Sequence, residues 1–362
     1  MSQGTTGIVF GTFAPLHQGH LDLIYRAKKE CQNGCIVVVC GFDGDKGEPL
    51  LPYRKRLNHV KEFFAQDQLV EVIGINDTQI GAARYPNGWE RWMQEFNELY
   101  FAHTYDNSLK NRVWYVGDKQ YQEDLTNMWN EKVVLVDRLS DNPISGTMIR
   151  NQPLKYWDKI AYTFRRDFSY NVLVCGTASE GKTTLVQDLA KYFGTSHSVE
   201  YARDYMKQLN LTDENLKRED FESFLTGQYA LNKYNIKRAQ NRGVFFADTD
   251  SMVTRMYAEY YAKDPNLNLS EEEFIEIAKL ADDITSTCGW DKIYLLCPKG
   301  EFVDDGVRYM GHADMEDRTS LYNILCRNIK DAGLWDKVTI LDKGYYGNFQ
   351  HIVKEIREVL EK

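Results

Sequence analysis

The first part of the chain alternates short, continuous apolar runs with stretches of helical periodicity. Apolar runs rich in β-branched residues are typical of strands that are buried on both faces of a parallel sheet. Five such runs are present, at 8–10, 36–40, 70–75, 113–116 and 133–136. Helical patterns begin between them, near His20, Tyr53, Trp89 and Tyr121. The pattern predicts a doubly wound α/β domain, in which helices cover both faces of a parallel sheet.

The second part has the same kind of pattern without repeating the sequence. Five apolar runs predict strands at 171–175, 197–200, 244–247, 293–297 and 338–341. Helical patterns follow Lys182, Ser251, Ser270, Asp314 and Asn348. Between the two series, Pro153, aromatic residues and a basic cluster interrupt the pattern, as at a domain junction. We therefore expect two doubly wound parallel-sheet domains, residues 1–155 and 169–362, joined by a linker at 156–168.

Composition limits the classes of function. A chain of 362 residues exceeds the size of about 250 residues at which single cores usually stop growing. The formal net charge of -9 argues against a general binder of nucleic acid or anionic membrane, since such partners require a positive field. No secretory signal follows Met1, no run of about 18 apolar residues occurs, and the seven cysteines are an odd number. We expect a cytoplasmic protein with reduced thiols and no membrane insertion.

A phosphate-binding motif follows the predicted strand at 171–175. Residues 176–183 match G-x-x-x-x-G-K-[ST], the P-loop pattern, in the required context between a strand and a helix. The backbone N–H groups of such a loop surround phosphate oxygens, its lysine bridges the β- and γ-phosphates, and its final hydroxyl ligates Mg²⁺. The predicted ATP-binding residues are Gly176, Ser179, Glu180, Gly181, Lys182, Thr183 and Thr184.

Carboxylates and arginines further along the chain suggest the rest of a kinase site. Asp248 ends an apolar strand and is predicted to hold Mg²⁺ with Thr183, while Asp250 is either a catalytic group or a helix N-cap. Arg308, in a charged loop, is the first choice for neutralising the transferring phosphoryl group, and Arg318 is the second.

The end of the strand predicted at 197–200 is a candidate substrate site. In open α/β sheets, ligands bind beyond the carboxyl ends of the strands. Glu200, Tyr201 and Arg203 close this strand, so they are either substrate-binding groups or ordinary surface residues.

The first predicted strand runs into an unusual segment with two histidines. Gly11, Thr12 and Phe13 lead through a proline to His17 and His20, which flank Gly19 at a helix start. N–H groups, the positive end of the helix dipole and two imidazoles together favour an anion. In nucleotidyl transfer such donors stabilise the charge that develops on the α-phosphate of ATP.

A second loop-to-helix start lies at 144–150. Its hydroxyls and guanidinium, on Ser145, Thr147 and Arg150, suit the triphosphate tail of ATP. Considered alone, Ser145 is better explained as a simple helix N-cap.

Together these motifs resemble one family along nearly the whole chain. The segment Gly11–His20 looks like the GxFxPxHxGH motif, and Ile144–Arg150 like the ISxTxxR motif, of the bifunctional nicotinamide mononucleotide adenylyltransferase and ribosylnicotinamide kinase (NadR-type) family. The P-loop at 176–183 looks like the Walker A loop of the same family, in the same order. The resemblance implies an NAD salvage transferase. Its second domain would phosphorylate ribosylnicotinamide with ATP, and its first would join the mononucleotide to AMP, giving NAD and pyrophosphate.

The resemblance also extends to substrate residues. It implies that Trp89 and Trp92 stack on the cationic pyridinium ring, although ordinary packing is the alternative for both. Asp250 and Glu200 would accept hydrogen bonds from ribose hydroxyls. Asp305 is a further predicted substrate-binding residue.

Other hypotheses remain open at this stage. The first domain could be a weakly active or non-catalytic nucleotide sensor. The same folds could also have other substrates, as in another nucleoside kinase fused to a cytidylyl- or pantetheine-type transferase. Longer family members carry an N-terminal DNA-binding domain, whereas the first strand here begins about seven residues from Met1, so no nucleic-acid partner is expected. A functional link to a ribosylnicotinamide transporter and a homo-oligomer are both compatible with the acidic surface.

Overall fold

The computed structural model describes residues 4–103, 111–136, 143–299 and 314–361. The chain divides into two compact units, the first ending at Phe168 and the second beginning at Ser169. Among the helices in these ranges, none has both the length and the apolar character that a membrane crossing requires.

The first unit is a five-stranded parallel sheet with the order β3-β2-β1-β4-β5. Its strands are β1 Thr6–Gly11, β2 Cys35–Gly41, β3 Val70–Asn76, β4 Arg112–Val116 and β5 Lys132–Leu135. Its helices are α1 Gln18–Glu30, α2 Tyr53–Phe63, α3 Trp89–His103, α4 Lys119–Trp129, α5 Gly146–Asn151 and α6 Tyr162–Arg165. Because side chains alternate along a strand, Val37 and Val39 enter one apolar cluster while Ile36 and Val38 enter another on the opposite face.

The second unit is also a five-stranded parallel sheet, with the order β10-β9-β6-β8-β7. Its strands are β6 Tyr170–Gly176, β7 His197–Ser198, β8 Val244–Ala247, β9 Lys292–Leu296 and β10 Val338–Leu341. Its helices are α7 Lys182–Phe193, α8 Tyr201–Leu209, α9 Arg218–Lys237, α10 Ser251–Tyr261, α11 Glu271–Thr287, α12 Met315–Asp331 and α13 Gly344–Leu360. Short 3-10 turns lie at Asp213–Asn215 and Trp335–Lys337 in this unit and at Trp157–Lys159 in the first unit.

The predicted fold class and all ten predicted strands are confirmed, with one correction to a strand end. β7 ends at Ser198, whereas the sequence pattern extended it to residue 200. Glu200 is instead the N-cap residue of α8, and Tyr201 and Arg203 lie in the first turn of that helix. Helix α9 was not predicted, because its buried face carries polar side chains, among them Gln228, Asn232 and Asn235, that hide the apolar period.

The segment 156–168, expected to be a linker, packs as part of the first unit. Trp157, Ile160 and Phe164 are buried in the apolar cluster beneath α1 and α2. Ile160 also forms an antiparallel bridge with His17. This segment therefore belongs to the first unit, and the division between the units falls after Phe168.

Two candidate nucleotide sites

The first candidate site lies where β1 ends and α1 begins. Phe13 adopts a left-handed backbone conformation, with φ of 46°, and its ring packs edge-on against His20 at a centroid distance of 4.9 Å. His17 is almost fully buried, and its ring stacks on His20 with centroids 3.7 Å apart. A Cβ on Gly19 would lie 3.4 Å from the His17 ring, so the first turn of α1 lies directly against this imidazole.

The segment 144–150 lies against this turn. Arg150 donates to the carbonyl oxygen of Ala14 and, at 3.2 Å, to Thr147 Oγ1. A Cβ on Gly146 would lie 2.8 Å from the same carbonyl oxygen, which is closer than real Cβ contacts. Ser145 Oγ accepts from the N–H of Met148 at 3.2 Å, so Ser145 does act as the N-cap of α5. The structure thus brings both predicted motifs of the first unit together.

Arg56, on α2, supports this site, and sequence analysis missed it. The side chain is 1% exposed and donates to three carbonyl oxygens, on Thr12, Cys40 and Leu51. It therefore joins the loop after β1 to the end of β2. An arginine in an amphipathic helix usually faces solvent, so the sequence pattern carries no sign of this role.

An aromatic pocket opens at the carboxyl edge of the same sheet. It is an open pocket of about 110 Å³, lined by Phe10, Cys40, Phe42, Asp77, Ala82, Ala83, Tyr85, Gly88, Trp89, Trp92 and Tyr121. Trp89 and Trp92 are 6% and 7% exposed and cross at nearly right angles, with centroids 5.6 Å apart. Both indoles belong to the apolar core and both line the pocket, so the packing and binding alternatives are compatible.

Asp124, on α4, fixes two of these rings and was not predicted. It accepts from Tyr85 Oη at 2.8 Å, from Trp89 Nε1 at 3.1 Å and from Gln120 Nε2 at 3.1 Å. Burial alone would raise the pKa of Asp124, but these hydrogen bonds outweigh it and lower the pKa. The carboxylate therefore stays charged and acts as an acceptor for the pocket wall.

The second candidate site is the loop between β6 and α7. Ser179 and Gly181 both have positive φ, at 62° and 78°, which curls the loop. A Cβ on Gly176 would lie 2.9 Å from the carbonyl oxygen of Leu296. Lys182 Nζ donates to the Thr177 carbonyl oxygen at 2.6 Å, across the loop. This is the strand, loop and helix arrangement that the motif predicts.

Asp248 lies beside this loop, directly after β8. It is fully buried, and its Oδ2 accepts from Thr183 Oγ1. Its Oδ1 is buried and has no hydrogen-bond partner in the part of the chain that the structure describes. Burial raises the pKa of Asp248, and the positive charge of Lys182 opposes that effect. Two hard oxygen groups, one with a free acceptor, match the ligand preference of Mg²⁺.

Asp250 has a structural role in this fold. Its Oδ1 accepts from the N–H of Met252 at 3.0 Å, which caps α10, and its Oδ2 accepts from Trp290 Nε1 at 2.9 Å. The residue is 1% exposed, and burial raises its pKa to about 6. Of the two alternatives that the sequence left open, the geometry favours the N-cap.

Glu200 and Arg203 form an ion pair of 3.2 Å at the start of α8, and the charges of both act on the pKa of Asp248. The Tyr201 ring lies against Gly227 of α9, where a Cβ would come within 2.3 Å of it. These three predicted residues therefore lie together near Asp248, although on a helix and not at a strand end.

The predicted arginines have different outcomes. Arg308 and Asp305 lie outside the described residues. Arg318, in the first turn of α12, is buried and ion-paired with Glu180 of the P-loop. Thr184 lies exposed one position after Thr183 in α7.

Comparison with known proteins identifies both halves of the chain. A cytidylyltransferase-like family model matches residues 8–152, and an AAA domain model matches residues 171–346. The trifunctional NAD biosynthesis/regulator protein NadR of Escherichia coli K12 is 27% identical over 98% of this chain and 83% of its own length. The corresponding NadR of Salmonella typhimurium LT2 is 28% identical over 99% of this chain and 84% of its own length.

Solved structures extend this likeness to the whole fold. A NadR protein in complex with NR superimposes with a TM-score of 0.86 at 34% identity, covering 98% of this chain and 96% of that one. A NadR protein in complex with NAD and AMP-PNP superimposes with a TM-score of 0.84, also at 34% identity. Because this identity extends over nearly the full length of both chains, the protein belongs to the NadR family.

Proposed function

We propose that this protein is a bifunctional transferase of NAD salvage. The second unit phosphorylates ribosylnicotinamide with ATP, and the first unit joins the resulting nicotinamide mononucleotide to the AMP part of ATP, releasing pyrophosphate. The observation that carries the proposal is the presence of a phosphate-binding turn at the sheet edge of each unit, in a chain that aligns end to end with NadR proteins whose structures hold NR, NAD and AMP-PNP.

In the first unit, the proposed ATP-binding residues surround one turn. Gly11, Thr12, Phe13 and Gly19 shape the backbone, and Ser145, Thr147 and Arg150 supply hydroxyls and a cation from the neighbouring segment. His17 and His20 would donate to the α-phosphate as the mononucleotide phosphate attacks it in line. Nothing covalent is required of the protein, because positioning and charge stabilisation account for the rate enhancement.

In the second unit, the P-loop would bind the triphosphate of a second ATP. Lys182 would leave the Thr177 carbonyl for the β- and γ-phosphates, and Thr183 with Asp248 would hold Mg²⁺. When bound, the metal would neutralise charge on the phosphate oxygens. Glu200 and Arg203, beside Asp248, would bind the nucleoside, with the carboxylate accepting from ribose hydroxyls.

The aromatic pocket of the first unit would receive the pyridinium ring of the mononucleotide. The faces of Trp89 and Trp92 attract a flat cation, and both indoles line the pocket. This pocket opens at the same edge of the sheet as the phosphate-binding turn, because Phe10 of β1 lines it one residue before Gly11.

We also propose a cytoplasmic location. All seven cysteines are free thiols, which persist in a reducing compartment. The link to a ribosylnicotinamide transporter and the homo-oligomer stay predictions of the sequence.

One incubation tests the proposed function. Purified protein with ATP, Mg²⁺ and ribosylnicotinamide is sampled over time, and nicotinamide mononucleotide, NAD and pyrophosphate are separated by chromatography. We expect the mononucleotide first, then NAD with an equal amount of pyrophosphate. Accumulation of the mononucleotide without NAD would reduce the first unit to a nucleotide sensor. Formation of neither product, with other nucleosides phosphorylated, would overturn the substrate assignment.

A further inference from the structure

Asp77 is the one carboxylate that lines the aromatic pocket among the described residues. It follows the last residue of β3, and its backbone is held on both sides. Its N–H donates to the carbonyl oxygen of Gly41 at 3.1 Å, and its own carbonyl oxygen accepts from Ala82 at 3.0 Å. The position of this side chain is therefore set by two strand ends and the following turn.

The carboxylate of Asp77 is an acceptor that none of the described residues uses. Its Oδ1 is buried and makes no hydrogen bond within the part of the chain that the structure describes. Asp124, which lies behind the pocket wall and does not line the pocket, has its oxygens engaged by Tyr85, Trp89 and Gln120. Because Asp77 lines the pocket and no described residue donates a hydrogen bond to its carboxylate, a ligand in the pocket that supplies a donor gains a hydrogen bond there.

We propose that Asp77 selects a pyridinium ring that carries a neutral carboxamide and rejects the same ring carrying a carboxylate. The proposal rests on the function proposed above and specifies its substrate. A carboxamide NH₂ donates to Asp77, whereas a substrate carboxylate offers only acceptors and places a second negative charge beside the first. The aromatic walls attract the cationic ring of both ligands, so they do not distinguish the two.

The surroundings of Asp77 add a pH dependence to this selection. Burial raises the pKa of Asp77 to about 6, with Asp45 acting in the same direction and Arg56 opposing it. Cys40 and Tyr53 also face this carboxyl, and the charge of Asp77 contributes to the raised pKa of each. As the pH falls through the pKa of Asp77, the protonated carboxyl becomes a donor to a substrate carboxylate. The preference for the amide should therefore weaken below about pH 6.

The test is the ratio of kcat/KM for nicotinamide mononucleotide to that for its carboxylate analogue, with the full chain. Both ligands carry the same phosphate, so its titration cancels in the ratio. We expect the wild-type ratio to be about 10²-fold at about pH 7.5, since a site built around one polar group discriminates strongly. Asp77→Asn should lower the ratio at least about tenfold and remove its pH dependence, because the amide of Asn can donate to either ligand.

Two further variants control this experiment. Asp77→Glu keeps the acceptor and should retain the preference for the amide. Asp45→Asn removes a nearby charge that is ion-paired with Arg84 and does not line the pocket, so the ratio should change less than about twofold. If Asp77→Asn slows both substrates equally and leaves the ratio unchanged, the proposal is overturned. Asp77 would then bind the ribose or support the structure.

Failure of the proposed function would look different. If wild-type protein forms no dinucleotide from either ligand, the adenylyl transfer itself is refuted, and direct calorimetric binding of the two mononucleotides still measures the preference. Equal affinities for both ligands in that titration would overturn the role of Asp77. Tighter binding of the amide, lost in Asp77→Asn, would support it.

Discussion

Arg318, in the first turn of α12, forms a buried ion pair with Glu180, the P-loop residue before Gly181. Their side chains are 2% and 5% exposed. Glu180 also accepts from the N–H of Lys299 at 3.3 Å. A carboxylate in a loop that binds a triphosphate would repel it, so the guanidinium beside it neutralises charge at the loop. The pair offers an alternative to the role of Arg318 as a group that contacts the transferring phosphoryl.

A double-mutant cycle separates these two roles. We expect Arg318→Ala to raise the KM for ATP in the kinase reaction by about 10-fold or more, because it leaves a buried, uncompensated charge. Combining it with Glu180→Gln should recover most of that loss, since the charge is then absent. Steady-state kinetics with ribosylnicotinamide provide the measurement. No recovery in the double variant, with kcat lowered throughout, would place Arg318 on the phosphoryl group instead.

Lys182→Ala should remove the kinase activity and spare adenylyl transfer. The lysine lies in the P-loop of the second unit, and its charge would act on the β- and γ-phosphates bound there. The two activities are assayed separately, the second with nicotinamide mononucleotide supplied directly. Lys191→Ala, on the exposed end of the same helix α7, is the matched control. Equal loss of both activities in Lys182→Ala would contradict two independent ATP sites.

His20→Ala should slow adenylyl transfer by about 10²-fold, which corresponds to roughly 3 kcal/mol of transition-state stabilisation. His20 is stacked on His17 at the turn where the α-phosphate would bind. The control is His103→Ala, since His103 is an exposed histidine at the end of α3 in the same unit. Single-turnover rates at saturating ATP give the effect on the chemical step. An unchanged rate would remove His20 from the catalytic residues.

The candidate phosphate-binding segments can be recognised in the sequence because this chemistry constrains spacing. A loop that surrounds a phosphate needs glycines, a lysine and a hydroxyl at fixed positions between a strand and a helix, and residues 176–183 carry all of them. The two segments of the first unit were found in the same way. The structure then shows why Gly146 is needed, through its close approach to the carbonyl oxygen of Ala14.

Residues that act alone were not predicted. Arg56, Asp77 and Asp124 are single charged residues with no fixed spacing to a motif. Arg56 and Asp124 act through contacts that only the folded chain creates, and only the fold places Asp77 at the pocket. Helix α9 was missed for a related reason. Phe221, Phe224 and Leu225 begin an apolar period on its inward face, but Gln228 and Asn232, which bond to the backbone of Val199 and Thr249, interrupt that period in the second half.

The last prediction concerns the acid stability of the first unit. Asp167, at the end of the segment expected to be a linker, accepts from His59 at 2.7 Å and from Lys55 at 2.6 Å, and its side chain is 7% exposed. Burial would raise the pKa of Asp167, but these partners outweigh it and hold the pKa below its usual value. An acid with a depressed folded-state pKa contributes stability that is present above the unfolded-state pKa and is lost as the pH falls through the folded-state pKa.

Asp167→Asn should therefore destabilise the contact between α2 and α6 at neutral pH and reduce the loss of stability below about pH 4. Hydrogen exchange of peptides from 53–63 and 162–168, measured by mass spectrometry, reports this region without unfolding the whole chain. The variant should exchange at least about tenfold faster at neutral pH, and the difference from wild type should shrink in acid because wild-type Asp167 is then protonated. Asp158→Asn, whose side chain is 83% exposed, controls for charge removal in the same segment. A difference that persists undiminished in acid would mean that the stabilisation by Asp167 does not depend on its charge.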